Sequence, residues 1–147
     1  NQINKSKPNT YVTTPITAAL KAFSHLNIKK ISVLTPYPKT VNETIFNYLL
    51  KHNIKVLNFN SFNLNYDSEI ASVEPKHVIK TIQNMNYEDS DAIFVSCTAL
   101  RIVEVLQEAE DIINKTIISS NQSIIWDSLR SVKINEKISN YGKLLLN

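Results

Sequence analysis

The stretch DAIFVSCTALRIVEVL, residues 91–106, decides how this 147-residue chain is read. Ala92-Ile93-Phe94-Val95 is a short apolar run of the kind that forms a strand buried on both faces. It passes directly into Ser96-Cys97-Thr98. A helical stripe of Ile102, Val105, Leu106, Ala109 and Ile113 then starts near Leu100. A strand handed straight to a helix is the repeating unit of a parallel α/β sheet. The chain's one cysteine falls at the handover.

Toward the amino terminus the same unit recurs. Thr14-Pro15 has the form of a helix N-cap followed by proline at the first helical position. Ala18, Ala19, Leu20, Ala22, Phe23 and Leu26 carry that helix to Asn27, a residue able to take the left-handed conformation that ends helices. Ile31-Ser32-Val33-Leu34 reads as a strand ending in Thr35-Pro36-Tyr37-Pro38. Thr40-Val41-Asn42-Glu43 fits a Thr-x-x-Glu capping box. It opens a helix with Val41, Ile45 and Leu49 on one face and an end at His52-Asn53. A strand at residues 56–59 precedes a long loop over residues 60–74, a length that usually signals function. Pro75 opens a helix carried by Val78, Ile79, Ile82 and Met85. Beyond Ile113, Thr116-Ile117-Ile118 reads as a strand, followed by a fifth helix near residues 122–132 with Ile125, Trp126 and Leu129 as core candidates.

Repeated alternation of strand and helix predicts an α/β domain: three layers, a mostly parallel four-stranded sheet with helices on both faces, joined by right-handed crossovers. Residues 1–13 read as a linker or leader, 14–133 as the domain and 134–147 as a carboxy-terminal tail. Ligands of such sheets bind beyond the carboxyl ends of the strands. Those ends carry Thr35-Pro36-Tyr37, Phe59 and the long loop, Ser96-Cys97-Thr98, and Ser119-Ser120-Asn121-Gln122, a rim rich in hydroxyls, amides and one thiol. A sulfur between strand and helix would face free backbone N–H groups and the positive end of the helix dipole, both of which favour thiolate. The competing reading of Cys97 is a small packed hydrophobe. Tyr37 is placed to donate to a carboxylate or to pack on a neighbouring helix. Asn42 faces either the rim or solvent, and Asn121 reads more readily as an N-cap than as a ligand contact.

Composition narrows the function. With 43% hydrophobic and 20% charged residues, the chain suits one globular domain with a proper core. A net charge of +3, two arginines and scattered lysines give no basic patch for nucleic acid. No apolar run is long enough to span a bilayer, and the polar start has no signal-peptide pattern. One cysteine excludes an internal disulfide and fits the reducing cytoplasm. A single glycine excludes the Gly-rich phosphate loop and the dinucleotide fingerprint. His25, His52 and His77 have no partner at ligand spacing, so no metal is expected. The start at Asn1 rather than methionine suggests a piece of a longer chain.

The segments TTPITAALKAF, ISVLTPYPKTVNE, IASVEPKHV, DAIFVSCTALR and SSNQSIIWDSLR, with the tail YGKLLL, resemble the aspartate/glutamate racemase superfamily. The branch they resemble holds maleate cis–trans isomerases, arylmalonate decarboxylases and ectoine-utilisation proteins. The segments occur in family order and cover nearly everything after the leader. The resemblance is to the carboxy-terminal half alone. It implies a Rossmann- or flavodoxin-like half of a two-domain fold whose halves face each other across a cleft, each supplying a cysteine.

By this resemblance Cys97 is the acid/base partner of a cysteine in a missing first half. Tyr37 binds a substrate carboxylate, the Thr98 backbone N–H serves the same group, and Asn42 is a further substrate contact. The implied protein is a cytoplasmic, cofactor-independent isomerase or racemase acting on a small dicarboxylate or amino acid such as maleate. Its partners would be that substrate and the first-half domain, with a homo-oligomer left open. The decarboxylase branch typically carries glycines after this cysteine, and Thr98-Ala99 argues against it. Two alternatives stay open. One is an amino-acid racemase or ectoine-breakdown enzyme of the same superfamily; the other is a non-catalytic small-anion-binding module with Cys97 packed.

Overall fold

The computed structural model describes residues 2–147. Strands β1 (Lys30–Thr35), β2 (Lys55–Ser61), β3 (Ala92–Val95) and β4 (Ile117–Ser119) form one sheet in the order β2-β1-β3-β4. Every pairing in it is parallel. The helices are α1 (Gln2–Ser6), α2 (Pro15–His25), α3 (Lys39–Lys51), α4 (Asp67–Ser72), α5 (Pro75–Gln83), α6 (Leu106–Ile113) and α7 (Ser120–Ser131). The three-layer parallel α/β fold expected from the sequence is therefore the observed one. Among the described residues no helix is long and apolar enough to cross a membrane.

The period of two along the strands builds the two cores. Ile31, Val33, Ala92, Phe94 and Ile118 face α2, α3 and α7, meeting Phe23, Leu49 and Trp126. Leu34, Ile93, Val95 and Ile117 face α5 and α6, meeting Ile79, Ile82, Ala109 and Ile113. All four residues of β3 are buried, as the unbroken apolar run requires. Phe94 meets Phe23 edge to face, with ring centroids 5.3 Å apart.

Three helices end in the same way. Asn27, Asn53 and Lys133 take positive φ after α2, α3 and α7. Each lets the next residue donate back five positions: Ile28 to Phe23, Ile54 to Leu49 and Ile134 to Leu129. Asn63, Asn114 and Asn140 occupy the same left-handed region elsewhere. Asparagine thus fills turn positions that most chains give to glycine.

Several local expectations are corrected. Thr40 is not an N-cap: α3 starts at Lys39, with Pro38 fixing the entry and its carbonyl accepting from Val41 and Asn42. Val41 consequently lies exposed, and only Leu49 of the expected stripe is buried. The loop over 60–74 is not structureless, because β2 runs to Ser61 and α4 occupies its middle. The helix after Cys97 begins late, with a 3₁₀ turn at Val103–Val105 and then α6. Leu100 and Ile102, both fully buried, tuck the irregular segment into the core instead. Ser119, not Asn121, caps α7, accepting from the Gln122 N–H. Ile125 is exposed, whereas Trp126 is buried.

Residues 11–13 and 141–145 are fastened to the domain. The buried Asp127 carboxylate accepts from the Tyr11 and Thr13 hydroxyls and from the Lys21 ammonium. Burial alone would raise this carboxyl, but the hydroxyl donors and Lys21 outweigh it and hold it below the usual range. At the other end Leu144 and Leu145 enter the core beside α7. Glu110 accepts from the backbone N–H groups of Ile117 and Lys143, each at 2.7 Å, while Gln122 donates to the Tyr141 carbonyl. Burial pushes the Glu110 carboxyl up, an effect these N–H groups only partly offset. Gly142 sits at φ +82° between them.

Candidate functional site

The carboxyl ends of the four strands share one edge of the sheet, and the rim residues gather there. β1 ends in Thr35, after which Pro36 and Pro38 hold Tyr37 in an extended turn. β3 ends in Val95, and the Ser96 N–H still reaches the Leu34 carbonyl at 2.9 Å. Cys97 is therefore fixed one residue beyond the last strand hydrogen bond. The α7 amino terminus supplies Ser120. These elements enclose a pocket of ≈ 400 Å³ that contains Tyr37, Ser96, Cys97, Thr98 and Ser120, with Pro15, Ile16, Val41, Thr44, Ile45 and Tyr48 as its remaining walls. That volume falls within the range of about 300–1,000 Å³ usual for small-molecule sites.

Cys97 is only 5% exposed. Its Sγ accepts from the Ala99 N–H at 3.2 Å. That donor comes from the irregular segment, so the expected helix terminus beside the sulfur is replaced by a local backbone turn. The late start of α6 is the reason. The carbonyl of Thr98 accepts from the Asn121 side chain at 2.9 Å, which ties the cysteine segment to the first turn of α7. Asn121 is thus a brace for the site.

Tyr37 and Cys97 meet in the pocket. Burial first, then the neighbouring Cys97 side chain and the Asp67 charge, push the Tyr37 phenol above its ordinary range. Tyr37 therefore stays a neutral donor at physiological pH, the form needed to hold an anionic oxygen. Thr98 lies at the mouth, exposed, beside the sulfur.

Asn42 is not brought into this pocket. Its Oδ1 accepts from the Thr35 hydroxyl at 2.6 Å and its Nδ2 donates to the Tyr37 carbonyl at 2.8 Å. The Ser61 hydroxyl donates to the same carbonyl, and the Tyr37 N–H reaches Thr35 Oγ1 at 3.3 Å. Asn42 clamps the turn that presents Tyr37. Beyond that it lines a separate depression of ≈ 370 Å³ with Lys39, Glu43, Phe46, Asn47, Phe59, Ser61 and Asn63. The sequence reading missed Ile16, Thr44, Ile45 and Tyr48 as pocket walls. A helical stripe at 41, 45 and 48 was the available signal, but it reads as core until α3 is placed at the sheet edge. The three histidines are exposed and stand against rings: His25 on Trp126, His52 on Tyr48 and His77 on Phe62.

A parallel β2-β1-β3-β4 unit with a thiol, a phenol and hydroxyls at the carboxyl ends of its strands is an α/β domain whose polar groups gather where such sheets bind ligands. Residues 4–145 match the arylmalonate decarboxylase family, and the chain belongs to it. It is 24% identical over 127 residues to a maleate isomerase of Alcaligenes faecalis, covering 86% of this chain and 49% of that protein. It is 25% identical over 136 residues to the arylmalonate decarboxylase of Bordetella bronchiseptica, covering 90% and 56%. The crystal structure of the maleate isomerase Iso from Pseudomonas putida S16 superimposes with a TM-score of 0.92 at 22% identity, covering 98% of this chain and 58% of that one. The chain thus spans about half the length of the relatives it matches.

Proposed function

We propose that this chain is the carboxy-terminal half of a cofactor-independent isomerase or racemase acting on a small dicarboxylate or amino acid, maleate being the first candidate. Cys97 is the acid/base residue on one face of the substrate. The meeting of Tyr37 and Cys97 in one pocket at the strand ends is the observation that carries this reading. Shifting a proton at a carbon beside a carboxylate needs a base or acid at that carbon and donors where negative charge gathers. Cys97 Sγ supplies the first. The neutral Tyr37 hydroxyl and the Thr98 backbone N–H supply the second. A cysteine-to-serine variant of the Nocardia farcinica maleate cis–trans isomerase holds a covalent succinylcysteine, so in that relative a cysteine bonds to substrate carbon. In our reading the adduct-forming cysteine belongs to a first-half domain, and Cys97 delivers or removes the proton.

The test uses the gene product that carries this chain, beside its Cys97→Ser variant, with maleate and aspartate as substrates. Isomerisation and deuterium incorporation from solvent are followed by NMR. The reading expects at least about a hundredfold loss in the variant, the scale of a general acid/base, and the substrate that turns over identifies the branch. Equal rates would return Cys97 to packing. Equal silence with carboxylates still bound would leave a small-anion-binding module.

A further inference from the structure

The Thr98–Ala99 peptide group lies between two hydrogen bonds that use its opposite ends. Its oxygen, the Thr98 carbonyl, accepts from Asn121 Nδ2 at 2.9 Å. Its nitrogen, the Ala99 N–H, donates to Cys97 Sγ at 3.2 Å. A peptide group is rigid and planar, so a partner that fixes the direction of its C=O fixes that of its N–H as well. The local backbone supplies no such restraint of its own. Residues 96–102 belong to no strand or helix, and Cys97, Thr98 and Ala99 make no backbone-to-backbone hydrogen bond among the described residues. Asn121, by contrast, stands on an anchored turn. Ser119 caps α7 by accepting from the Gln122 N–H at 3.2 Å, and the Ser123 hydroxyl donates to the Ser119 carbonyl at 2.8 Å. The neighbours of Asn121, Ser120 and Gln122, are both buried.

We infer that Asn121 is a positioning residue for Cys97: through the Thr98–Ala99 peptide it aims the N–H that stabilises the thiolate form of the sulfur. A donor aimed at sulfur favours its charged form, which is the base that proton transfer requires. A donor on the carbonyl oxygen also polarises the peptide and strengthens its N–H. Asn121 thus acts on the thiol through one peptide plane. Its part in turnover rests on the acid/base reading of Cys97 given above.

The experiment compares the gene product that carries this chain with its Asn121→Ala and Asn121→Leu variants. Iodoacetamide alkylation is followed across a series of pH values by peptide mass spectrometry, which separates Cys97 from any other cysteine. The midpoint of the rate–pH curve reads the thiolate, whereas its plateau reads access to the pocket. In both variants the midpoint should rise by at least about half a pH unit, about a threefold loss of reactivity on the rising limb. Leucine nearly matches asparagine in size, and Asn121 is only half-buried, so the fold is kept. A midpoint unmoved in either variant, whatever the plateau does, overturns the inference alone. A Cys97→Ser protein as active as wild type overturns the acid/base reading instead, while the alkylation curve still decides what Asn121 does to the sulfur.

Discussion

Replacing Gly142 by alanine should cost this domain several kcal/mol, although the residue does not line the pocket. Two independent penalties add. The backbone at φ +82°, ψ 169° belongs to a region open essentially to glycine, and forcing an L-residue into it costs about 1–3 kcal/mol. A Cβ built there would stand 2.0 Å from Leu106 Cδ2 and 2.9 Å from Gln122 Nε2. Leu106 is fully buried, so its methyl cannot move without repacking, an overfilling worth about 1–3 kcal/mol. The sum, roughly 2–6 kcal/mol, is a large part of the 5–15 kcal/mol typical of a domain. In thermal unfolding it corresponds to a drop of about 5–20 °C. Urea unfolding measures the free energy, and a double-mutant cycle with Leu106→Ala separates the two parts. The double variant should be more stable than the sum of the single losses by about the steric share. A Gly142→Ala protein within about 0.5 kcal/mol of wild type would refute the argument, and strict additivity would remove Leu106 from it.

Other expectations are smaller or read by different assays. Tyrosinate absorbance should show Tyr37→Phe removing amplitude only from the alkaline end of the titration, because the Tyr37 phenol is pushed up by burial and by Cys97; loss near the middle of the curve would contradict this. The folded Asp127 carboxyl lies below its unfolded value of about 3.9. Its stabilisation is therefore complete above that pH and lost as pH falls through the folded value. Asp127→Asn should flatten that acid limb and cost about 1–3 kcal/mol at neutral pH, by urea unfolding at a series of pH values. Asn42→Ala should destabilise by about 1–2 kcal/mol by removing the 2.6 Å acceptor of the buried Thr35 hydroxyl, which keeps only Ser61 Oγ at 3.4 Å. Unchanged stability would mean that water replaces the clamp.

What the sequence made legible followed from periodicity and from residues with narrow conformational choices. The apolar run at Ala92–Val95, the Thr14-Pro15 helix start and the turn at Asn27 were readable because few backbones suit them. The gathering of Tyr37, Cys97 and Thr98 at one edge followed from parallel topology alone. The misses came where a local pattern was overruled by packing or by a neighbouring residue. Leu100 and Ile102 fit a helical stripe, yet burial elsewhere draws them out of it and delays α6. Thr40 matches a capping pattern, but the preceding Pro38 starts the helix earlier. The hydrogen bonds of Asn42 to Thr35 and to the Tyr37 carbonyl were not legible either, because only three-dimensional placement reveals that clamp.

The asparagines at positive φ have a consequence in the denatured ensemble. Asn27, Asn53, Asn63, Asn114 and Asn140 occupy backbone positions where glycine would sit with less strain. Glycine would also leave the unfolded chain freer at each of them, and denying that freedom is worth about 0.4–1 kcal/mol per site where the fold tolerates the residue. At these turns that gain offsets part of the left-handed strain, a contribution that corresponds to no contact in the folded molecule. The turns of this domain are held partly by what its disordered chain is prevented from exploring.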